Sequence, residues 1–258
     1  MRSQPVTIRS TILAALVLAA ACGTEDAPGP LEPSCDQQGR ARFVNLITDP
    51  ARTPVDAWLE GVPWGVNLGY TASTPSSLPA PSTAVYSLVC DGNRTIALRH
   101  TANPSVTHAT LTAAIGAGQD HTVYAVGGTG ASAISAFVTT DDNTAPAAGQ
   151  SRVRVINMSP TAGAIDVFLT GATTDLATAT PVATNLAYQS STYVGVAAGT
   201  YRFRAVPAGT AAANRGTATT IDLANIAMAA GSARTIIAAD NASGPSAPPF
   251  RAFVLLDR

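Results

Sequence analysis

The 258-residue chain has no lysine: its 15 basic residues are all arginine, set against 16 acidic residues for a formal charge of −1. Charged residues make up only 12% of it, about half the usual share, which excludes a disordered polyelectrolyte. Like charges never cluster, which argues against a nucleic-acid binder that works by neutralising phosphates. Histidine and cysteine occur three times each, and aromatics are 5%. No GxSxG, HExxH, CxxC or phosphate-loop pattern is present, so the common hydrolase, metalloprotease, redox and nucleotide-binding signatures are missing. Outside the first 22 residues no stretch carries a helical apolar stripe. What the chain does have is 46% hydrophobic residues, enough for packed cores, and 21 Gly with 18 Pro. With abundant threonine, that mixture favours short strands joined by tight turns.

Residues 1–21 read as an export signal: Arg2 and Arg9 are the positive region and Thr11 to Ala20 the apolar run. This run is too short for a membrane span, which needs roughly 20 apolar residues. Ala19, Ala20 and Ala21 lead directly into Cys22, an arrangement that resembles a bacterial lipobox, although Leu18 lies one place further from the cysteine than in the commonest pattern. By that resemblance Cys22 is the lipidation site and the membrane is reached through an N-terminal lipid. An ordinary signal peptide that happens to abut a cysteine is the alternative. Residues 22–38, polar and rich in Pro and Gly, form a flexible tether. Gly23, rather than Asp, favours the outer membrane if the host is Gram-negative. Cys35 and Cys90 remain, and in an exported protein they are expected to pair as a disulfide.

Beyond the tether the chain repeats. Residues 40–62 match 151–172, with Asn45 on Asn157 and Asp56 on Asp166. Asn67-Leu68-Gly69-Tyr70 matches Asn185-Leu186-Ala187-Tyr188, and 121–128 matches 234–241. These correspondences predict one domain over 39–141, a linker over 142–150 and a second domain over 151–258. Within each the apolar period is two: Val55, Ala57 and Leu59 alternate with Asp56, Trp58 and Glu60, and Ile165, Val167 and Leu169 with Asp166, Phe168 and Thr170. In the opening strands Phe43, Val153 and Val155 fall inside, with Arg42, Arg152 and Arg154 outside. Turn signals recur about every ten residues. The expected fold class is therefore all-β: two tandem antiparallel β-sandwich domains of immunoglobulin-like build, with an up-and-down barrel as the alternative.

The pattern R-V-x-V-x-N-x-S-P from Arg152, the A-I-D-V-F-L-x-G run from Ala164, N-L-x-Y at Asn185 and the turn around Gly199-Thr200-Tyr201 resemble a secreted bacterial domain of unknown function, numbered four-three-nine-seven. Its members often stand in tandem on lipoproteins. The first copy departs from it at Leu78-Pro79-Ala80-Pro81, where the glycine turn is replaced, and Asn45 and Asn157 stand where the family usually carries His. The resemblance implies a fold and an address, with no established activity.

Few residues offer chemistry. His100 and His108 flank a turn, but alternation puts them on opposite sheet faces with no third ligand in sensible spacing, so no metal is expected. His121 has no partner pattern. The GGTG at 127–130 aligns with the turn after residue 240 and reads as a hairpin turn rather than a phosphate cradle. Asp56 and Asp166 lie in different domains, too far apart for a hydrolytic carboxylate pair, and read as solvated residues helping a neighbouring loop's amides. Asn45 and Asn157 read as buried amides that pin the turn after the first strand. Trp58, Trp64, Tyr70 and Phe168 form the candidate binding face, since Trp58 and Phe168 occupy the polar phase of their strand; cover by a loop or by the other domain is the competing reading. The expectation is a non-catalytic binding or structural module of the cell envelope without cofactors, whose partner is an envelope protein or a glycan. The alternatives are a carbohydrate-active enzyme or its accessory domain, and a purely architectural spacer.

Overall fold

The structure, a computed structural model, describes residues 35–75, 86–128, 133–242 and 248–258. The export signal, Cys22, most of the tether and the Leu78–Pro81 departure lie outside the described residues. The first half supplies β1 (Gln38–Ile47), β2 (Val55–Leu59), β3 (Val62–Leu68), β4 (Ser73–Thr74), β5 (Ser87–Cys90), β6 (Gly92–His100), β7 (Asn103–Ile115), β8 (Asp120–Gly127) and β9 (Ser135–Asp141). The second supplies β10 (Gln150–Asn157), β11 (Ile165–Thr170), β12 (Ala183–Leu186), β13 (Ser191–Ala197), β14 (Gly199–Pro207), β15 (Ile221–Met228), β16 (Ala233–Asp240) and β17 (Phe250–Leu256).

The protein is all-β, built from two sandwiches with equivalent strand orders. In the first, the sheet β4-β1-β8-β9 faces β3-β2-β6-β7; in the second, β13-β10-β16-β17 faces β12-β11-β14-β15. Strand β13 runs alongside β10 over 150–156, whereas β4 and β5 share the same edge of β1. Two details differ from the expectation. Most pairs are antiparallel, but β1 runs parallel to β8 and β10 parallel to β16. An immunoglobulin constant domain puts its first strand in one sheet with the second, fifth and fourth; here the second strand opens the opposite sheet. Alternation reveals faces, not partners, so neither detail could be read from period alone.

Each core forms where the apolar phase of both sheets meets. Phe43, Val55, Ala57, Ile96, Leu98 and Val123 fill the first, and Val155, Ile165, Val167, Phe203, Ile221 and Ile236 the second. Each of these Val, Leu, Ile and Phe side chains contributes about 1.5–3 kcal/mol on burial. Gly127 ends β8 at φ 107°, where a Cβ would lie 2.1 Å from the Ala133 carbonyl oxygen, so only glycine fits there; the rest of the expected turn, beyond Gly128, lies outside the described residues.

Cys35 and Cys90 are bonded, with Cα atoms 5.8 Å apart, and Gln38 pairs with Cys90 in the ladder. The bridge clips the chain entering β1 to β5 and closes a separation of 55 residues, worth about 4 kcal/mol through restriction of the unfolded chain. Peptide mapping of the unreduced protein is expected to recover Cys35 and Cys90 as one linked species. Cys90→Ala is expected to lower stability by about 2–4 kcal/mol in urea unfolding; an unshifted midpoint would refute the bridge's contribution.

Candidate functional site

Four central strands are buried on both faces. In β1, Ala41, Phe43 and Ile47 enter the core, while Arg42, Val44 and Leu46 point away from it. The same holds for Tyr124 and Val126 of β8, Ile156 of β10 and Ile237 and Ala239 of β16. These outward faces meet: Val44, Leu46, Tyr124 and Val126 pack against Ile156, Met158, Ile237, Phe253 and Leu255, forming a third apolar cluster between the sandwiches. Strands enclosed on both faces read as nearly continuous apolar runs, as Val123–Val126 of β8 and Ile236–Ala239 of β16 do, whereas arginines interrupt β1 and β10.

One end of this seam is charged. Arg42 and Arg154, expected on the solvent side, are 0% and 1% exposed. They face outward from their own sandwich and are covered by the other. Arg42 Nε donates to Thr122 Oγ1 at 2.7 Å, its Nη1 to the Leu256 carbonyl at 2.9 Å and its Nη2 to Asp257 of the second sandwich. Reciprocally, Arg154 Nε donates to Thr235 Oγ1 at 3.0 Å and its Nη1 to Asp141 of the first sandwich at 2.6 Å. Thr122 in turn donates to Asp141, and Thr235 to Asp257 at 2.7 Å. Tyr86 adds a hydroxyl to Asp141 at 2.8 Å, with the Arg42 guanidinium 4.6 Å from its ring centre. The result is two equivalent Arg–Thr–Asp sets exchanged across the seam. Arg152, also expected outside, is half-buried and paired with Asp142.

Burial works against charge here, and pairing overcomes it. Burial pushes the Asp141 carboxyl up, but Arg154 and Arg42, with hydrogen bonds from Thr122 and Tyr86, hold it below its ordinary value of 3.8. Burial likewise opposes the charge on Arg42, yet Asp257 and Asp141 leave it more firmly protonated than a free arginine. The Tyr124 hydroxyl, fully enclosed, is pushed up to about 12, mainly by burial. His121 is held below its ordinary 6.5 by burial; its Nε2 accepts the Gly116 N–H at 3.0 Å, so the ring is neutral.

The duplicated polar residues serve this seam. Asp56 and Asp166 are buried, not solvated as expected, because each receives amides from neighbouring loops. Asp56 accepts from Asn67 N–H at 2.8 Å and from Thr101 Oγ1 at 2.7 Å; Asp166 accepts from Asn185 N–H at 2.8 Å and from Gly209 N–H at 3.1 Å. Asn67 and Asn185 have φ of 54° and 51°, a left-handed conformation that asparagine tolerates. Asn45 donates to the Leu68 carbonyl at 2.8 Å and accepts the Ile47 N–H at 3.0 Å; Asn157 donates to the Leu186 carbonyl at 3.0 Å and accepts the Ser159 N–H at 3.1 Å. Each Asp and Asn thus clamps the Asn-Leu-x-Tyr loop, whose tyrosine, Tyr70 or Tyr188, joins the seam cluster.

The four aromatics proposed as a binding face do not share one. Trp64 lies in the first core, 6.4 Å from the Phe43 ring. Tyr70 meets Phe253 edge-on at 5.7 Å in the seam and donates to the Asp240 carbonyl. Phe168 is 0% exposed beneath Leu176 and Val206. Trp58, half-buried like Tyr70 but away from the seam, has the Arg99 guanidinium 4.1 Å from its ring centre. Loop packing and the second sandwich decide these environments, and neither is written in a strand's own period.

His100 and His108 also break the expectation. Register shifts put extra residues into β7 against β6, and the two rings come within 5.5 Å instead of facing opposite ways. Burial, then His100 and Arg52, hold His108 below its ordinary value. Among the described residues no group of three or more His, Cys, Asp or Glu is placed to hold a metal. Between β15 and β17 runs a groove of about 430 Å³, lined by Arg234, Arg251, Phe253 and Thr71 among others.

Fold and site together define a class: a two-sandwich all-β protein whose halves join through a buried, charge-paired seam. The chain belongs to the family described as Domain of unknown function (DUF4397), whose profile matches residues 39–168, from β1 to Phe168 of β11. No curated protein matches it. The Arg, Thr and Asp of each set recur at the spacing that relates the two halves, the one sequence signal that could have exposed the seam.

Removing one partner of a buried pair strands the other, so Asp141→Asn is expected to cost about 3–5 kcal/mol in chemical unfolding. A loss below about 1 kcal/mol, the range of exposed pairs, would overturn the buried-pair account. Both depressed groups stabilise the fold at higher pH: the His121 contribution is complete above about pH 6.5 and lost as pH falls through its lower folded value, and that of Asp141 is lost below about pH 3.8. Melting temperature is therefore expected to fall in two steps on acidification, the first shared by His121 and the likewise depressed His108, so that His121→Gln shrinks the first step and leaves the second unchanged. Asn157→Ala is expected to destabilise by about 1–3 kcal/mol, since it leaves the Leu186 carbonyl unpaired; an unchanged melting temperature would discard the clamp.

Proposed function

We propose that the chain is an exported, lipid-anchored, non-catalytic module of the bacterial cell envelope, presenting two joined sandwiches to an envelope partner at the end of a tether. The observation that carries this reading is the Cys35–Cys90 disulfide, since disulfides form and persist in oxidising compartments outside the cytoplasm. The run of small residues before Cys22 supports lipidation, and the Pro- and Gly-rich segment after it supplies reach. A non-catalytic role is supported by how the repeated carboxylates are used: Asp56 and Asp166 accept loop amides, and Asp141 and Asp257 neutralise buried arginines. We read the second sandwich as a second copy of the family domain, because its strand order and its Asp, Asn and Asn-Leu-x-Tyr clamp repeat those of the first.

The test is metabolic labelling with a palmitate analogue in a Gram-negative host, followed by membrane fractionation. The wild-type chain is expected to carry label and to sediment with outer membranes, whereas Cys22→Ser carries none and becomes soluble. Label that survives the substitution, or a wild-type chain found only in the soluble fraction, would overturn the anchoring.

A further inference from the structure

The two sandwiches treat one strand position differently. Phe168 on β11 is covered by segments 171–182 and 208–220. Leu176 and Ala179 of the first segment pack about its ring together with Val206 of β14. Arg215 of the second lies 5.1 Å from the ring centre and donates to the Ala179 carbonyl at 3.0 Å. Arg204 donates to the Thr174 carbonyl at 2.7 Å. The cover is polypeptide, with aliphatic groups against the ring and oxygens on guanidinium groups.

Trp58 holds the matching place on β2, two residues after Asp56 as Phe168 is after Asp166. There the corresponding connections shrink to Glu60-Gly61 and Thr101-Ala102. Arg99, paired across the ladder with Asp56 as Val206 is with Asp166, lies over the indole instead. Its Nε is buried without a partner, and among the described residues no carboxylate pairs with its guanidinium, which leaves the two Nη groups to meet a ligand. Around it the same sheet carries exposed Thr95, Thr110 and Thr112, an uncharged shelf about one unpaired cation, with the Glu60 carboxylate at its edge taken up by the Thr95 N–H. Stacking holds a guanidinium in plane, which suits it to take a carboxylate through two parallel hydrogen bonds.

We propose that this shelf is a docking surface for an acidic, aliphatic polypeptide segment of another protein, doing for Trp58 what segment 171–182 does for Phe168. Charge complementarity at Arg99 and the polypeptide cover of the equivalent ring both select that occupant. A sugar ring stacked on the indole is disfavoured, because Arg99 already covers an indole face. The proposal rests on the binding-module reading and supplies its partner class.

Intrinsic fluorescence of the full chain tests it, because Trp64 is enclosed and a ligand-dependent change reports Trp58. The probe is an acetylated octapeptide of alternating Leu and Glu, compared with its Leu and Lys counterpart and with an oligogalacturonate of equal charge. A saturable change is expected with the acidic peptide alone. It should weaken about tenfold in Arg99→Gln, as loss of a charged hydrogen bond implies, and vanish in Trp58→Phe. A response to the galacturonate without one to the peptide would overturn the proposal. So would a peptide response that Arg99→Gln leaves unchanged, or none from any probe at about 1 mM, a binding energy near 4 kcal/mol. Palmitate labelling is read separately, so failure here leaves the anchoring intact, and failed anchoring leaves the docking surface intact.

Discussion

Two arginines and two aspartates enclosed between the sandwiches set the conditions under which the halves can meet. Removing such ions from water costs several kcal/mol each, and their attraction offsets this only when geometry is good and the remaining donors and acceptors are satisfied. Arg42 and Arg154 meet that condition by reciprocity: each takes a threonine from its own sandwich and a carboxylate from the other. Apolar surfaces such as Val44 against Ile237 attract without direction. The exchanged pairs add direction, since a slide of either sheet would leave a charge buried and unpaired. The seam's strength therefore comes mostly from its apolar residues, and its register from its ions.

That register reaches back into each core. The Asn-Leu-x-Tyr loop is held by an aspartate on the second strand and an asparagine on the first, and it carries the tyrosine that enters the seam. One set of residues thereby links the packing within a sandwich to the packing between sandwiches. Away from the seam the halves diverge. Long connections close the outer face of β11 and β14, while two-residue turns leave that of β2 and β6 open. Two halves of like strand order can keep one face for joining and differ on the other, because the outer face contributes little to either core.

Much of the architecture was legible from alternation, turn spacing and repetition: Val55, Ala57 and Leu59 point inward as their phase requires, and Cys35 meets Cys90. Period two also assigned Arg42, Arg154, Phe168 and Asp166 correctly to the side away from their own core. Their environments were another matter. Solvent was the natural reading for that side, yet a second sandwich covers the arginines, and loops cover Phe168 and Asp166. His100 and His108 meet because two register shifts put extra residues into β7, which strict alternation cannot anticipate.

The chain's own pattern of apolar and polar residues was thus enough to settle strands and which side of each strand faces its core, since these follow from local geometry and a fixed side-chain period. Which strands pair, and what lies against the face turned away from the core, was decided only by packing over long separations. Hydrophobic burial rewards any close-fitting partner, and a strand bears no local mark of whether water, a loop or another domain will cover it.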